Sequence, residues 1–286
     1  MPYARIGVAE SDLIDFTPDL HQKGVALAKN YKIGPIYTPP AVSKAGGPLA
    51  TLGLGPASGG TNWPGGSFNP QNHTVYTYAC NSCLIAMGLV PPPTGMSDLP
   101  YVIGTAGQQV VMINAAGADQ GADAPLVKRA TAPAAAASSR GRMTVDGLPL
   151  IKPPYGTISA INLDTGMIEW QVAHGETPDY IRNSPALKGV SVPRTGQTGF
   201  NIGTLLTKDL VIAGDAEVTT TPEHPRGAML RAYDQKTGKE IGNVLMPAGQ
   251  SGSPMTYMVN GKQYIIVAVS GGNYSGEYIC YTLPNE

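Results

Sequence analysis

Charge is scarce in this sequence. Only 14% of its 286 residues are Asp, Glu, Lys or Arg, and 19 basic residues nearly balance 20 acidic residues, so the net charge is −1. The sequence offers no basic stripe to nucleic acid and no cluster of Lys and Arg to anionic lipid. We therefore expect no nucleic-acid partner.

Long apolar runs are also missing. A transmembrane helix needs roughly 20 consecutive apolar residues, and the sequence contains no such stretch. The opening residues, MPYAR, are not followed by the apolar core of a signal peptide. The sequence therefore predicts neither a membrane-spanning segment nor a secretion signal within this chain.

Several catalytic motifs are absent as well. There is no Gly-x-Ser-x-Gly elbow and no phosphate loop ending in Gly-Lys-Ser/Thr, and the four histidines lack metal-ligand spacing. Cys80 and Cys83 form a C-x-x-C in a strand-like run, whereas a redox motif would begin a helix and a metal site would need further ligands. We interpret this pair as chance or local packing, and Cys280 as a core residue.

Glycine and proline are abundant, with 36 and 26 residues, which favours short strands and turns over helices. The clearest unit is YGTISAINLDTGMIEW at 155–170. Alternating apolar residues predict two strands, and Asp164 with Gly166 predicts the tight turn between them. Trp170 on the return strand needs a neighbouring sheet to cover its indole.

This unit recurs at 229–244 as MLRAYDQKTGKEIGNV, after about 72 residues. The Thr-Gly of the first turn aligns with Thr237 and Gly238. The second copy has Gly242 where the first has Trp170, so the repeat is imperfect.

Hairpins follow one another along the chain, and we place them at 66–79, 155–172, 203–214, 229–244 and 254–270, with a last strand at 277–283. Four-stranded sheets in series predict an all-β fold of the β-propeller class. Because a propeller closes with about four to eight blades, the three to four blades here should belong to a larger ring.

The predicted domains are a connecting segment, 1–58, and a partial propeller, 59–286. Thr17 followed by Pro18 predicts the start of a short helix in the first domain, and 35–60 reads as a loop. Within the propeller, 91–150 is a long loop insertion with a low-complexity stretch.

The loop GGTNWPGG at 59–66 has the most unusual composition. Its glycines let another group approach the backbone, and Trp63 beside Asn62 suits a flat ligand. Alternatively, Trp63 closes the end of a sheet. The residues alone leave both interpretations open.

Four segments together resemble the pyrroloquinoline-quinone (PQQ) dependent dehydrogenases, most of all the C-terminal part of the membrane-bound glucose and quinate type. They are GGTNWPG at 59–65, AINLDTGMIEW at 160–170, SGSPMTY at 251–257 and GKQYII at 261–266. The resemblance runs nearly end to end, and it implies an eight-bladed propeller with the quinone in a funnel on the ring axis.

The resemblance also implies the chemistry. Members oxidise an alcohol or sugar hydroxyl by hydride transfer to PQQ, with Ca²⁺ polarising the quinone and a carboxylate taking the proton. Electrons pass on to a quinone or cytochrome. A periplasmic location, or the periplasmic face of the inner membrane, is implied in the same way.

By this resemblance, Asn62 hydrogen-bonds the polar edge of the cofactor, and Trp63 lines the same floor. Asn273 is a further candidate, in a glycine loop near the funnel. Phe200 and Asn201 are weaker candidates, because they only precede a strand that enters from the axis.

The sequence departs from the family in one respect. The base aspartate, the calcium ligands and the basic residue over the quinone all belong upstream of the matched region, and no counterpart occurs here. We therefore expect a C-terminal fragment that needs the missing N-terminal blades and is inactive alone. A non-catalytic propeller module for binding or scaffolding is the alternative, since fold alone does not fix function.

Overall fold

The computed structural model describes residues 2–54, 60–62, 65–108, 110, 143–271 and 274–282. These residues form two α-helices, α1 (Pro18–Ala28) and α2 (Asp179–Arg182), and many short strands. The strands are β1 (Ala41–Val42), β2 (Thr51–Leu54), β3 (Gly66–Asn69), β4 (Thr74–Cys80), β5 (Leu84–Val90), β6 (Val102–Ile103), β7 (Thr144–Val145), β8 (Leu148–Pro149), β9 (Gly156–Asn162), β10 (Met167–Ala173), β11 (Leu205–Leu206), β12 (Leu210–Gly214), β13 (Thr219–Thr221), β14 (His224–Asp234), β15 (Glu240–Met246), β16 (Met255–Val259), β17 (Lys262–Gly271) and β18 (Tyr274–Thr282).

Three antiparallel sheets follow in series, and we call them the first, second and third blades. The first has the order β10-β9-β4-β3, and the second has the order β11-β12-β14, with β15 and β13 also paired to β14. The third has the order β16-β17-β18. The prediction of sequential sheets of the β-propeller class is confirmed.

The repeated turns have the same hydrogen bonds in both copies. The side chain of Asn162 accepts from two backbone N–H groups of its turn at 2.9 and 3.1 Å, and Asp234 does so at 3.1 and 2.9 Å. The predicted role of the Asp164 side chain in this turn was wrong, because it contacts Nδ1 of His73 at 2.9 Å instead. Gly166 and Gly238 close the turns, each with a φ of +68°. This left-handed conformation is easy only for glycine, which explains why Thr-Gly recurs.

Trp170 joins the first blade to the second. Its indole is 9% exposed, and its Nε1 donates to the backbone oxygen of Gln235 at 2.8 Å. The ring lies flat against the second turn, where a Cβ on Gly238 would come within 2.5 Å of it. The repeated glycine therefore makes room for the indole as well as closing its own turn.

A separate core lies beneath the N-terminal segment. Helix α1 begins where it was predicted, with the side chain of Thr17 accepting from the N–H of Leu20 at 3.2 Å. Its buried face packs in one core with β2, β7 and β8 and with Leu150 and Ile151, which follow β8. The loop prediction for 35–60 was wrong at two places, since β1 and β2 both pair with β5.

Strands also occur inside the predicted insertion, 91–150. Strand β6 pairs with β5, and β7 pairs with β8. Val145, Leu148 and Leu150 belong to the same core as α1. The low-complexity stretch lies outside the described residues, and the domain boundaries stay a prediction.

Both cysteine interpretations need correction. Cys80 and Cys83 are joined by a disulfide across the break between β4 and β5, so their pairing is specific. The strand ends at Cys80, and the backbone then turns sharply enough to bring the two sulfurs together. Cys280 is exposed on β18 and is not a core residue, because β18 is the edge strand of the third blade in the described structure.

Replacing Trp170 with alanine should lower the free energy of unfolding by about 3–5 kcal/mol, because it removes a buried indole and its hydrogen bond. Equilibrium unfolding in urea measures this loss. Met167→Ala is the control, since Met167 is exposed on the same strand and should change stability by no more than about 0.5 kcal/mol. Equal stabilities of the two variants would contradict the role of the indole between blades.

Candidate functional site

Three segments lead into the first strands of the three blades, and we call them the entry loops. They cover 60–65, 196–204 and 248–254. Each loop precedes a strand whose first residue pairs near the end of the following strand: Gly66 pairs with Thr77, Leu205 with Ile212 and Met255 with Ile266. Gln250 of the third loop donates to the backbone oxygen of Gly203 in the second loop at 2.9 Å, which brings these two loops together. The Oγ of Ser67 donates to the backbone oxygen of Thr204 at 2.8 Å, so the first and second entry loops open onto neighbouring strands.

The first entry loop is fixed on both sides of Asn62. Gly60 and Cys80 exchange backbone hydrogen bonds at 3.2 and 3.0 Å, and the Thr61 hydroxyl donates to the backbone oxygen of Tyr78 at 2.8 Å. The N–H of Gly65 then donates to the backbone oxygen of Asn62 at 2.7 Å. The backbone of this loop is therefore held by the first blade, while Asn62 itself is exposed.

The second and third entry loops are each held by a buried glutamine. The side-chain oxygen of Gln197 accepts from the N–H of Glu217 at 2.9 Å, and its amide donates to the backbone oxygen of Glu217 at 3.3 Å. Gln250 accepts from the N–H of Gly214 at 2.5 Å and donates to the backbone oxygen of Gly203 at 2.9 Å. Each amide satisfies both a donor and an acceptor of the backbone, which fixes the loop without any charge.

These glutamines were not predicted from the sequence. The available signal was a repeated tetrapeptide, Gly-Gln-Thr-Gly at 196–199 and Gly-Gln-Ser-Gly at 249–252. A glutamine flanked by glycines is a weak signal by itself. Its recurrence ahead of two predicted strands would have identified equivalent positions in two blades.

The predicted site residues can now be placed. Asn62, Phe200 and Asn201 are exposed on the first and second entry loops. Trp63 and Asn273 lie outside the described residues. The cofactor role of Asn62, Trp63 and Asn273 stays a prediction.

A cleft of about 490 Å³ lies beside the first entry loop. Its walls are mostly apolar and come from the N-terminal segment, from β2, and from Gly60 and Thr61. Tyr37, at its rim, is 91% exposed. The cleft has the size of a small-molecule site, and the exposed tyrosine gives it an aromatic edge.

His174 is buried where the first and second blades meet. Its Nε2 donates to the backbone oxygen of Gly214 at 2.9 Å, so its Nδ1 accepts from the hydroxyl of Tyr233 at 2.8 Å. The ring also meets Tyr78 edge-on, with 5.7 Å between the ring centres. Burial lowers the pKa of His174 to about 4, so the ring is neutral at pH 7.

A buried ion pair lies close by. Arg231 binds Asp215 through two hydrogen bonds of 2.6 and 2.8 Å, and it also contacts Glu240 at 2.8 Å and Glu176 at 3.0 Å. Burial opposes the charge on Arg231, but the hydrogen bond and charge of Asp215 raise its pKa overall. The positive charge of Arg231 is therefore fully paired by carboxylates, which identifies a structural network rather than a free binding cation.

The side chains of the entry loops limit the kind of ligand that these loops can bind. Their sequences contain Asn, Thr, Ser and backbone N–H groups but no Lys or Arg. In the part of the chain that the structure describes, no group of three or more His, Cys, Asp or Glu residues could hold a metal ion. The loops can therefore supply neutral hydrogen bonds to a flat polar ligand, while cationic groups would have to come from elsewhere.

Comparison with known proteins gives a family match over residues 1–265, to the glucose/ethanol/alcohol dehydrogenase β-propeller domain named for PQQ. A probable quinate dehydrogenase (quinone) of Xanthomonas campestris pv. juglandis is 36% identical over 149 residues, which are 49% of this chain and 17% of that protein. The quinoprotein glucose dehydrogenase of Escherichia coli K12 is 34% identical over 147 residues, with coverage of 49% and 17%.

Among solved structures, a quinohemoprotein alcohol dehydrogenase from Pseudomonas putida HK5 aligns with a TM-score of 0.41 and 19% identity, covering 78% of this chain and 24% of the other. The corresponding enzyme of Comamonas testosteroni aligns with a TM-score of 0.38 and 22% identity, covering 73% and 22%. The aligned region thus spans about a sixth of the curated relatives' length.

Stability should fall between pH 6.5 and pH 4 because of His174. The unfolded histidine takes up a proton near pH 6.5, whereas the folded one does so only at about pH 4. Stabilisation by the neutral ring is therefore complete above pH 6.5 and declines by about 3 kcal/mol towards pH 4.

Urea unfolding of His174→Gln across this pH range should show a shallower decline than the parent protein. His73→Gln is the control for an exposed imidazole, which pairs with Asp164 at 2.9 Å. Because exposed ion pairs contribute little to stability, its slope should depart from the parental one far less than that of His174→Gln. An unchanged slope in His174→Gln would show that other groups cause the pH dependence.

Proposed function

Because this chain belongs to the PQQ-dependent glucose/ethanol/alcohol dehydrogenase β-propeller family, we propose that its entry loops form part of the PQQ site in a dehydrogenase. The substrate class is an alcohol or sugar hydroxyl, and the final acceptor is a quinone or cytochrome. The proposal is supported above all by one observation. Three loops that lead into the blades carry neutral polar groups, and hydrogen bonds between Thr61, Gln197 or Gln250 and neighbouring backbone groups fix them.

Asn62 is proposed to hydrogen-bond the polar edge of the cofactor, with Trp63 on the same floor and Asn273 as a further contact. PQQ, when bound, supplies the two-electron acceptor for oxidation of the hydroxyl. The protein's own part is to hold a flat, carboxylated ring system in one orientation. A fixed backbone around Asn62 serves this purpose, since binding then costs little conformational entropy.

The proposed enzyme needs further blades. The third blade ends at an open edge in the described structure, where Tyr278 on β18 is 80% exposed. Met255 and Met258, on β16 of the same sheet, are exposed as well. An open strand edge with apolar side chains favours association with another strand or sheet. We propose that the N-terminal blades of the same propeller cover such surfaces and contribute the catalytic carboxylate and the Ca²⁺ ligands.

A location in an oxidising compartment, the periplasm or the periplasmic face of the inner membrane, is supported by the Cys80–Cys83 disulfide. Disulfides persist outside the reducing cytosol. Among the described residues, no helix is long and apolar enough to cross a membrane.

The alternative function is a non-catalytic propeller module that binds or scaffolds a partner. It is favoured by the lack of Lys and Arg on the entry loops, because a carboxylated quinone is usually held by cations. The two functions predict different responses to PQQ.

The test is a titration of the full chain with PQQ in the presence of Ca²⁺, followed by tryptophan fluorescence and by equilibrium dialysis. Weak but saturable binding is expected, and Asn62→Ala should weaken it about tenfold, the effect of one hydrogen bond to a charged group. Asn30→Ala is the matched control, because Asn30 is exposed just after the end of α1, and it should bind like the parent.

Absence of saturable binding in dialysis would favour the scaffold module. Binding that Asn62→Ala leaves unchanged would retain a quinone site but move it away from the first entry loop.

A further inference from the structure

Among the described residues, the groove between the second and third blades has Tyr281 on one wall but no counterpart of Trp170, whose indole fills the preceding groove. Between the first and second blades, Trp170 lies between the sheets, with its ring centre 5.8 Å from that of Tyr76 and its N–H on the oxygen of Gln235. The chain thus contains its own reference for what such a groove accommodates: one indole, in contact with both sheets and with one hydrogen bond.

Gly242 occupies the position of Trp170 in the second blade. Trp170 pairs with Ala160, and Gly242 pairs with Ala232. Each pair adjoins a one-residue irregularity in register, located before the tryptophan in the first blade and before Gly242 in the second. The two positions are therefore equivalent in backbone structure as well as in sequence alignment.

The backbone at Gly242 does not require glycine. Its φ is not in the left-handed range, and a Cβ built there would meet no atom within 4 Å. By contrast, Gly238 has a positive φ and lies against an indole. Gly242 is thus a place where a side chain would fit, and its absence leaves space.

That space is a groove of about 570 Å³, which we call the Gly242 groove. It is the outward continuation of the packed interface between the two blades, since its apolar walls share residues with that core: Leu210, Ile212, Leu230, Ala232, Ile265 and Tyr281. Its volume lies within the roughly 300–1,000 Å³ that is usual for small-molecule sites.

Polar groups at the wall could orient a ligand. Gln263 donates its amide N–H to the hydroxyl of Thr256 at 2.9 Å, so its side-chain oxygen is the atom that can accept a further hydrogen bond. Arg231 also reaches the groove, but its charge is already matched by Asp215 and Glu240. The groove therefore suits an uncharged ring with one N–H donor better than an anion.

We propose that the Gly242 groove binds an indole or a fused aromatic ring of similar size and polarity. The ring takes the place that the side chain at position 242 would fill, in contact with both blades. Its N–H points to a side-chain oxygen at the groove wall. This site is separate from the entry loops and does not depend on a bound quinone.

The probe is 5-fluoroindole, titrated with the full chain and followed by ¹⁹F NMR. Saturable binding with a Kd below about 1 mM is expected for a ring of this size. Gly242→Trp should weaken binding at least tenfold, because its own indole fills the groove, and it should raise the midpoint of thermal unfolding. Gly242→Leu, with a smaller side chain, should weaken binding by an intermediate factor.

Met167→Trp is the matched control. Met167 is exposed on β10 of the first blade and is not among the residues that line the groove, so the added indole should leave binding unchanged. The proposal is overturned if the parent chain shows no saturable binding, or if Gly242→Trp binds the probe as well as the parent does. The fluorescence added by Gly242→Trp, taken as the difference from the parent chain, would also contradict the proposal if it reported a solvent-exposed indole.

Discussion

Contact between an indole and a glycine turn holds the first two blades together. A sheet hairpin cannot cover a tryptophan with its own atoms, so Trp170 must be buried by the neighbouring sheet. The neighbouring turn can come close enough only because Gly238 has no Cβ. The glycine thus serves two purposes at once, since it also adopts the positive φ that its own hairpin requires. The repeated Thr-Gly pair is in this way both a local turn signal and a long-range packing signal.

The position of the candidate site depends on this packing. Packing of neighbouring blades brings their entry loops next to one another, and the side-chain amides of Gln197 and Gln250 fix the second and third loops. Gln197 and Gln250 bind neighbouring backbone groups without charge, so their hydrogen bonds do not change with pH. The ionisable groups behind them, His174 and Arg231, are held in single protonation states by burial and pairing. The polar chemistry of the interior is therefore structural, and the groups left for a ligand are the exposed ones on the loops.

Local patterns in the sequence predicted the blades well, because each hairpin is set by neighbouring residues. The turns at Gly166 and Gly238 and the start of α1 at Thr17 depend on hydrogen bonds within four residues, and all are found. Strands β1 and β2 were missed because their partner β5 lies thirty or more residues away, so no local period in the sequence indicates them. The Cys80–Cys83 disulfide was missed because the alternating pattern predicted one continuous strand through both cysteines, whereas the strand ends at Cys80.

Asn62 was singled out by composition and family resemblance. Its loop is fixed by the pairing of Gly60 with Cys80, which is a tertiary contact.

The two interblade grooves differ more than their backbones do. One wall has the same register in both grooves, with Trp170 at the position that Gly242 occupies in the second blade. The opposite walls differ as well, because the described third blade has three strands, whereas β15 adds a further strand to the second. Filling one groove with an indole contributes stability that the other interface lacks, and the second and third blades must instead rely on the apolar core formed by residues such as Ile212, Leu230 and Val267. Because this core holds the second interface without an indole, the space beside Gly242 is left for a ligand.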